Sequence, residues 1–232
     1  MPLYVQITEE LVKRHADVQV KMVFKKGRGY RIKSKYIKTE EVVVRHPIRR
    51  TGLEYFSGFN ELMDRIKPDV IATNLYYGMY SYQAYRYAQK NNIKFILNTE
   101  EKDYKSLARK IFFPIWDVTF GKKILNYASA ILAWSRSSER FMNKIAGDKK
   151  KVKYFPAGID ISIFSPDEER KYITSGKLRL LMVARMVSCK DHFTLLEAVK
   201  HLKEETDLKF KLDLIGEGPL RKEVEKKLKS MG

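Results

Sequence analysis

Hydrophobic and polar positions along the chain predict strands followed by helices almost throughout. Short apolar runs such as DVIATN at 69–74 and KFILNT at 94–99 have the length and composition of buried strands. Between them, SYQAYRYAQKNN at 81–92 repeats apolar residues at helical spacing. This alternation predicts a mostly parallel sheet covered by helices on both faces. We predict further strands at 17–24, 41–45, 128–135, 151–156, 178–184 and 208–215, helices at 3–14, 59–66, 138–146, 192–205 and 219–229, two helices between 104 and 127, and a basic loop or hairpin at 25–38.

A polar segment, PDEERKYITSGK, interrupts this alternation and marks a domain boundary. We predict a Rossmann-like domain at 1–166, a linker at 167–177 and a second α/β domain at 178–232. The first domain begins in a helix rather than a strand, and the second holds only two strand–helix units. We therefore expect the first domain to lack its first strand and the second to be about half present, as in a fragment of a longer protein.

Composition limits the classes of protein to which the chain can belong. Apolar residues make up 44% of the sequence, enough for a folded core. Lysine and arginine outnumber aspartate and glutamate by 46 to 28, so the net charge of +18 should attract phosphates, nucleic acid or anionic lipid. The single cysteine, Cys189, excludes an internal disulfide and fits a reducing compartment. With no apolar run near the ~20 residues of a membrane span, we expect a cytoplasmic protein that contacts a membrane surface.

Two cations lie where the strand at 178–184 is followed by the helix at 192–205. Arg185 comes directly after the apolar run LRLLMVA, and Lys190 follows five residues later. Ligands of open parallel sheets bind beyond the carboxyl ends of the strands, and the start of a helix favours an anion. An arginine fork beside a lysine suits a diphosphate. On charge alone, two solvated cations are the simpler interpretation in so basic a chain.

Three linked motifs carry a family resemblance. They are YFPAGIDISIFSP at 154–166, VARMVSCKDHFTLLEAV at 183–199 and LDLIGEGPLRKEVE at 212–225. Their order and spacing resemble those of the nucleotide-sugar glycosyltransferases of the GT-B fold, specifically the large retaining family four. The resemblance covers about 154–225, and before that region it rests on the order of strands and helices. It implies twin Rossmann-type domains.

The resemblance also implies roles for individual residues. Arg185 and Lys190 would be catalytic, since they would bind the donor diphosphate and stabilise the charge on the departing nucleoside diphosphate. No metal cofactor is then needed, and the four histidines and one cysteine show no metal-ligand spacing. Many relatives carry a histidine after the strand at 94–99, where this chain has Glu100 and Glu101 as candidates for the acceptor side. The implied donor-binding residues are Gly158, where only a residue without Cβ would fit, and Gly216, Glu217, Gly218 and Pro219.

The implied reaction moves a hexose from a nucleoside diphosphate sugar to a glycan or lipid-linked acceptor, with retention of configuration. Its partners would be the donor, the acceptor and an anionic membrane surface, with no nucleic acid. The basic stretch DYKSLARKIFF at 103–113 and the basic loop at 25–38 would direct the protein to the inner face of the membrane. The first stretch is explained equally well as a helix that packs its apolar face in the core and exposes its charged face to solvent.

Two family features do not occur in these 232 residues. The chain has no glycine-rich loop after a first strand, and it stops at Gly232, before the second half of the carboxyl-terminal domain, where family members carry a pair of glutamates spaced eight apart. If the protein ends at Gly232, we expect no transfer by the chain alone unless a partner supplies the sugar-contacting half.

Three alternatives remain open at the level of the sequence. One is a non-catalytic fragment, and another is a sugar-nucleotide epimerase of the same fold, which the loop at 154–166 disfavours. The third is a basic nucleic-acid-binding protein that stacks bases on Tyr76, Tyr77, Tyr80 and Tyr82.

Overall fold

The computed structural model describes most of the chain as two compact units, Met1–Phe164 and Ser165–Gly232. The predicted linker at 167–177 lies outside the described residues, as do Glu100, Glu101 and all of the basic stretch at 103–113 except Phe113. The described residues are 3–25, 34–45, 54–99, 113–156, 158–159, 161, 164–166 and 178–231.

A four-stranded parallel sheet forms the centre of the first unit. Its strands alternate buried and less buried positions, and Phe95, Leu97 and Ile131 are fully buried. The register pairs Asn74 with Asn98, so the carboxyl ends of neighbouring strands lie at one edge of the sheet. In spatial order the strands are β5 (Val70–Asn74), β6 (Lys94–Thr99), β7 (Ala130–Ala133) and β8 (Val152–Tyr154).

Helices pack on this sheet through the apolar faces that the sequence predicts. Ile124 and Met142 are fully buried against the sheet residues in a single core. The hydroxyl of Ser135 accepts a hydrogen bond from the Ser138 amide and so caps the helix that begins at Arg136. The helices are α2 (Phe59–Ile66), α3 (Met79–Lys90), α4 (Lys122–Tyr127) and α5 (Arg136–Ile145), and residues 113–121 before α4 are helical too, with a π-helical turn at Asp117–Gly121.

The amino-terminal part of the first unit differs from the predicted pattern. The sequence predicts a loop or hairpin at 25–38 and a strand at 41–45, but a strand already begins at Ile37 and pairs in parallel with the one before it. Ile37 and Val42 are buried at its two ends, whereas mostly polar residues between them hide the strand from a hydrophobicity pattern. The elements here are α1 (Leu3–Arg14), β1 (Val20–Lys25), β2 (Ile37–Val42), and an antiparallel pair, β3 (Val44–Arg45) and β4 (Tyr55–Phe56).

The tyrosines that suggested nucleic-acid stacking pack inside the first unit. Tyr76 is fully buried, and its hydroxyl donates a hydrogen bond to Asp117 Oδ1 at 2.8 Å. The Tyr82 ring meets Phe120 edge-on at 4.8 Å, and Tyr80 stacks on Phe56 at 5.5 Å. Packing therefore explains these rings without a bound base.

The second unit contains two strand–helix repeats. Its strands pair in parallel from Phe210↔Leu178 to Ile215↔Val183. One face of this sheet leaves Leu181, Val183 and Ile215 more than half exposed, so in the described part of the unit the predicted covering of both faces is not observed. The elements are β9 (Leu178–Val183), α6 (His192–Glu205), β10 (Phe210–Ile215) and α7 (Arg221–Lys229).

A hydrogen bond between the buried Tyr87 and the exposed Asp64 predicts how the first unit responds to alkaline pH. The Tyr87 hydroxyl donates a hydrogen bond to Asp64 Oδ1 at 2.8 Å. Burial, and secondly the Asp64 carboxylate, raise the pKa of Tyr87 above its usual 10.0. As pH rises, the unfolded state therefore loses this proton first, and the free energy of unfolding falls.

We expect this fall in urea denaturation as the pH rises above about 10, the ordinary pKa of tyrosine. The change Tyr87→Phe should reduce the slope without removing it, because burial also raises the pKa of Tyr127. A slope that stays the same in the variant would contradict the assignment to Tyr87.

Candidate functional site

The two loops that follow the strands of the second unit are joined by backbone hydrogen bonds. The Ala184 amide donates to the Ile215 carbonyl at 3.0 Å, and the Met186 amide donates to the Glu217 carbonyl at 2.9 Å. The Leu220 amide then donates to the Met186 carbonyl at 3.1 Å. Pairing thus continues past the strand ends and holds Arg185 beside the Gly216–Pro219 turn.

Two glycines permit this close approach. A Cβ added at Gly216 would lie 1.9 Å from the Ala184 carbonyl oxygen, and its φ of +152° is one that other residues rarely adopt. A Cβ at Gly218 would lie 2.3 Å from the Met186 carbonyl oxygen. The spacing of the glycines therefore matches the spacing of the two carbonyls that they face.

Arg185 and Lys190 both lie in the connection between β9 and α6, as predicted. Met186 is buried and anchors the loop, whereas the two cationic side chains are exposed. Lys190 ends a short 3₁₀ turn, Ser188–Lys190, in which its amide donates to the Val187 carbonyl at 3.0 Å. Within the described residues, neither cation makes a side-chain hydrogen bond or an ion pair, so both can bind an anion from solvent.

The start of α6 adds partial positive charge to this loop. Asp191 precedes the helix with a φ of 52°, and its side chain makes no capping hydrogen bond. The first-turn amides therefore have no cap from this residue, and such amides favour an anion. His192 is only 2% exposed, and its Nδ1 has no hydrogen-bond partner in the part of the chain that the structure describes.

The acidic side chain of the second loop is neutralised locally. The Arg221 guanidinium contacts the Glu217 carboxylate and also donates to Glu225 Oε1 at 2.7 Å. These partners, Glu225 first, raise the pKa of Arg221, and the same contact lowers the pKa of Glu225. Glu217 is thus paired, and among the described residues Arg185 and Lys190 remain as the unpaired cations of the two loops, with the exposed Asp191 carboxylate beside them in the sequence.

Two polar pairs that the sequence analysis missed lie at the strand ends of the first unit. Asn98 Nδ2 donates to Asn74 Oδ1 at 3.1 Å across the ends of β5 and β6. The Arg136 guanidinium lies 3.8 Å from the centre of the Tyr154 ring, at the end of β8. Asn74 could have been found from its position, because it ends the run DVIATN, whereas Tyr154 lies inside the predicted strand at 151–156 and ends only the observed β8. Both pairs lie where open α/β sheets bind ligands.

Gly158 has no visible steric reason to be a glycine. A Cβ added there would meet no atom within 4 Å. The expectation that only a residue without Cβ fits at this position is therefore not supported by the described contacts. Its role in donor binding stays a prediction.

No group of three histidine, cysteine or carboxylate side chains placed to hold a metal ion occurs among the described residues. In the same part of the chain, every helix is too short or too polar to cross a bilayer.

Comparison with known sequences relates the second unit to a known family. Residues 165–232 match the family model described as Glycosyl transferases group 1. The chain is also 34% identical over 116 residues to EpsF of Bacillus subtilis (strain 168), a protein named as a glycosyltransferase. That alignment covers 47% of this chain and 30% of EpsF. The predicted resemblance to glycosyltransferases is confirmed at this level, whereas family four and retention of configuration stay predictions.

Comparison with solved structures identifies the fold. Anabaena Alr3699/HepE in complex with UDP superposes with a TM-score of 0.62 at 13% identity, over 93% of this chain and 66% of HepE. TarM, a protein of S. aureus, superposes with a TM-score of 0.52 at 11% identity, over 76% of this chain and 34% of TarM. The fold is that of the GT-B glycosyltransferases. The chain spans less than two thirds of the length of each of these proteins.

Proposed function

We propose that the chain is part of a glycosyltransferase that moves a hexose from a nucleoside diphosphate sugar to a glycan or lipid-linked acceptor, with retention of configuration. One observation carries the proposal. The loops after β9 and β10 are joined around Gly216 and Gly218, and this arrangement presents Arg185 and Lys190 at the carboxyl ends of a parallel sheet. The arrangement lies within the segment that matches Glycosyl transferases group 1.

The two cations supply the electrostatics that this reaction needs. When the sugar leaves, negative charge grows on the diphosphate, and fixed positive groups at that place lower the barrier. Arg185 offers a fork of donors that can bind two phosphate oxygens, and Lys190 adds a point charge. The amides at the start of α6 favour the same anion. These groups act without a metal ion, so we propose metal-independent transfer.

The turn between β10 and α7 would border the nucleoside. Gly216 and Gly218 leave backbone, rather than side chains, facing Ala184 and Met186. Pro219 follows, and Glu217 is held by Arg221 instead of standing unpaired beside the phosphates. A nucleoside diphosphate can therefore approach this turn without meeting an uncompensated carboxylate.

The acceptor would bind at the strand ends of the first unit. The Asn74–Asn98 pair and the Tyr154 ring beside Arg136 combine amide, aromatic and cationic groups. Such groups suit the hydroxyls and apolar faces of a glycan, and Glu100 and Glu101 follow β6 in the sequence. We place the protein in the cytoplasm, peripherally on the inner face of the membrane, where a lipid-linked acceptor is accessible.

Thermal unfolding with nucleotides tests the donor assignment. UDP, which is present in the HepE crystal structure, is the first ligand to try, followed by GDP and the corresponding sugars. A ligand at a hundred times its dissociation constant should stabilise the folded protein by about 2.7 kcal/mol. A protein that none of these nucleotides stabilises, but that binds RNA with an affinity falling steeply with salt, would contradict the proposal.

A further inference from the structure

The helical segment at 113–127 exposes a second apolar face in addition to the one that packs in the core. Phe113, Trp116 and Ile124 are buried. Ile115 and Val118, one turn apart, are 58% and 73% exposed. Because the core already has its contacts from the opposite side of this segment, these two side chains are not needed for packing within the unit.

Two lysines continue this exposed face. Lys122 lies one turn beyond Val118, and Lys123 is next to it. Both are exposed, and neither forms an ion pair within the described residues. Ile115, Val118, Lys122 and Lys123 together are called the docking face below.

The acidic residue of the segment is turned away from the docking face. Asp117 is the only aspartate or glutamate in 113–127. Its Oδ1 accepts a hydrogen bond at 2.8 Å from the hydroxyl of the buried Tyr76. Trp116 Nε1 also donates to the Tyr76 carbonyl at 3.0 Å. The inner side of the segment is therefore fixed, and its outer side presents aliphatic groups and positive charge without a carboxylate of its own.

Gly121 supports this orientation. A Cβ at this position would lie 3.0 Å from the Trp116 carbonyl oxygen and 3.2 Å from the Tyr76 ring. The segment thus lies close against Tyr76 through the π-helical turn Asp117–Gly121. This contact is on the buried side, so the docking face is held in place by the core rather than by its own contacts.

We propose that the docking face binds an anionic lipid bilayer. Ile115 and Val118 would enter the boundary between headgroups and acyl chains, and Lys122 and Lys123 would remain at the level of the lipid phosphates. The chain's net charge of +18 favours the same surface. A bilayer fits better than a protein groove because the apolar contact is small and is bordered by cations. Binding is weak and reversible, and it does not depend on the donor site.

Flotation with lipid vesicles tests the proposal on the whole chain. The parent protein should float with phosphatidylcholine vesicles that contain phosphatidylglycerol, and less with phosphatidylcholine alone. The double change Ile115→Ser/Val118→Ser should abolish flotation. The double change Lys122→Gln/Lys123→Gln should weaken binding to the anionic vesicles by about 30-fold, at about 1 kcal/mol for each lysine.

Matched controls distinguish binding through the docking face from non-specific binding through other exposed apolar or cationic side chains. Leu181→Ser/Val183→Ser removes two equally exposed apolar side chains from the second unit. Lys149→Gln/Lys150→Gln removes two exposed lysines elsewhere in the first unit. Both controls should float like the parent. A parent that does not float, or docking-face variants that float as their controls do, would overturn the proposal. Stabilisation by UDP should be the same in the docking-face variants as in the parent. A loss of lipid binding can therefore be distinguished from a loss of donor binding.

Discussion

Replacing Gly216 with alanine should destabilise the second unit by about 3 kcal/mol or more. The new Cβ would be placed 1.9 Å from the Ala184 carbonyl oxygen, so one of the two loops has to move. The φ of +152° adds backbone strain for any residue that has a Cβ. Moving the loop would break the bond between the Ala184 amide and the Ile215 carbonyl, and with it the pairing that holds Arg185.

Hydrogen–deuterium exchange is the suitable measurement for this change. Both tryptophans of the chain, Trp116 and Trp134, lie in the first unit, so their fluorescence does not report on the second. Peptides from 178–231 should exchange faster in Gly216→Ala, and peptides from the first unit should be unaffected. Gly218→Ala should have the same direction of effect, because its Cβ would meet the Met186 carbonyl oxygen at 2.3 Å.

Gly158→Ala is the matched control, because the same methyl group there meets no atom within 4 Å. Its effect on stability should lie within about 0.5 kcal/mol of the parent. If Gly216→Ala were as well tolerated as Gly158→Ala, the close contact between the two loops would be wrong. In that case the geometry that positions Arg185 would have to be abandoned.

The sequence predicts the elements of this fold better than the contacts between them. Apolar runs locate β5, β6, β9 and β10, because strands that form a sheet over a core are rich in apolar side chains. The strand β2, IKTEEV, escapes this reasoning, because only its two end residues are buried. The sequence also places Arg185 and Lys190 correctly beyond β9, since that position depends only on where the strand ends.

Long-range contacts at the site could not be read from the sequence. Gly216 and Gly218 are visible as a glycine pair, but nothing local shows that they face the Ala184 and Met186 carbonyls. The Asn74–Asn98 bond depends on the register of β5 with β6, which the sequence does not specify by itself. Pairing of Arg221 with Glu225 was accessible in principle, because residues four apart are neighbours on a helix, whereas Glu217 lies in the turn before that helix.

The double change Arg185→Ala/Lys190→Ala should abolish stabilisation by UDP. At a hundred times the parent's dissociation constant, the expected stabilisation of about 2.7 kcal/mol should fall close to zero once both phosphate-binding charges are removed. Each single change should lower the shift partly, with Arg185→Ala the larger because the guanidinium binds two oxygens at once. Arg185→Lys should recover little, because an ammonium keeps the charge but loses the fork.

These variants can be interpreted because the parent side chains contribute little to the fold. Both are exposed, and within the described residues neither pairs with another side chain. Their loss should therefore change the free energy of unfolding without ligand by no more than about 0.5 kcal/mol. A lost ligand shift then reports lost binding rather than a damaged protein.

Lys209→Ala is the charge-matched control. This lysine is exposed and lies just before Phe210, at the opposite end of β10 from the candidate site. A strand of this length separates the two ends by about 20 Å, well beyond the ~8 Å screening length at physiological salt. The control should therefore keep the UDP shift of the parent. If the double variant kept it too, the phosphate would bind elsewhere, and Arg185 and Lys190 would be two solvated cations on a basic protein.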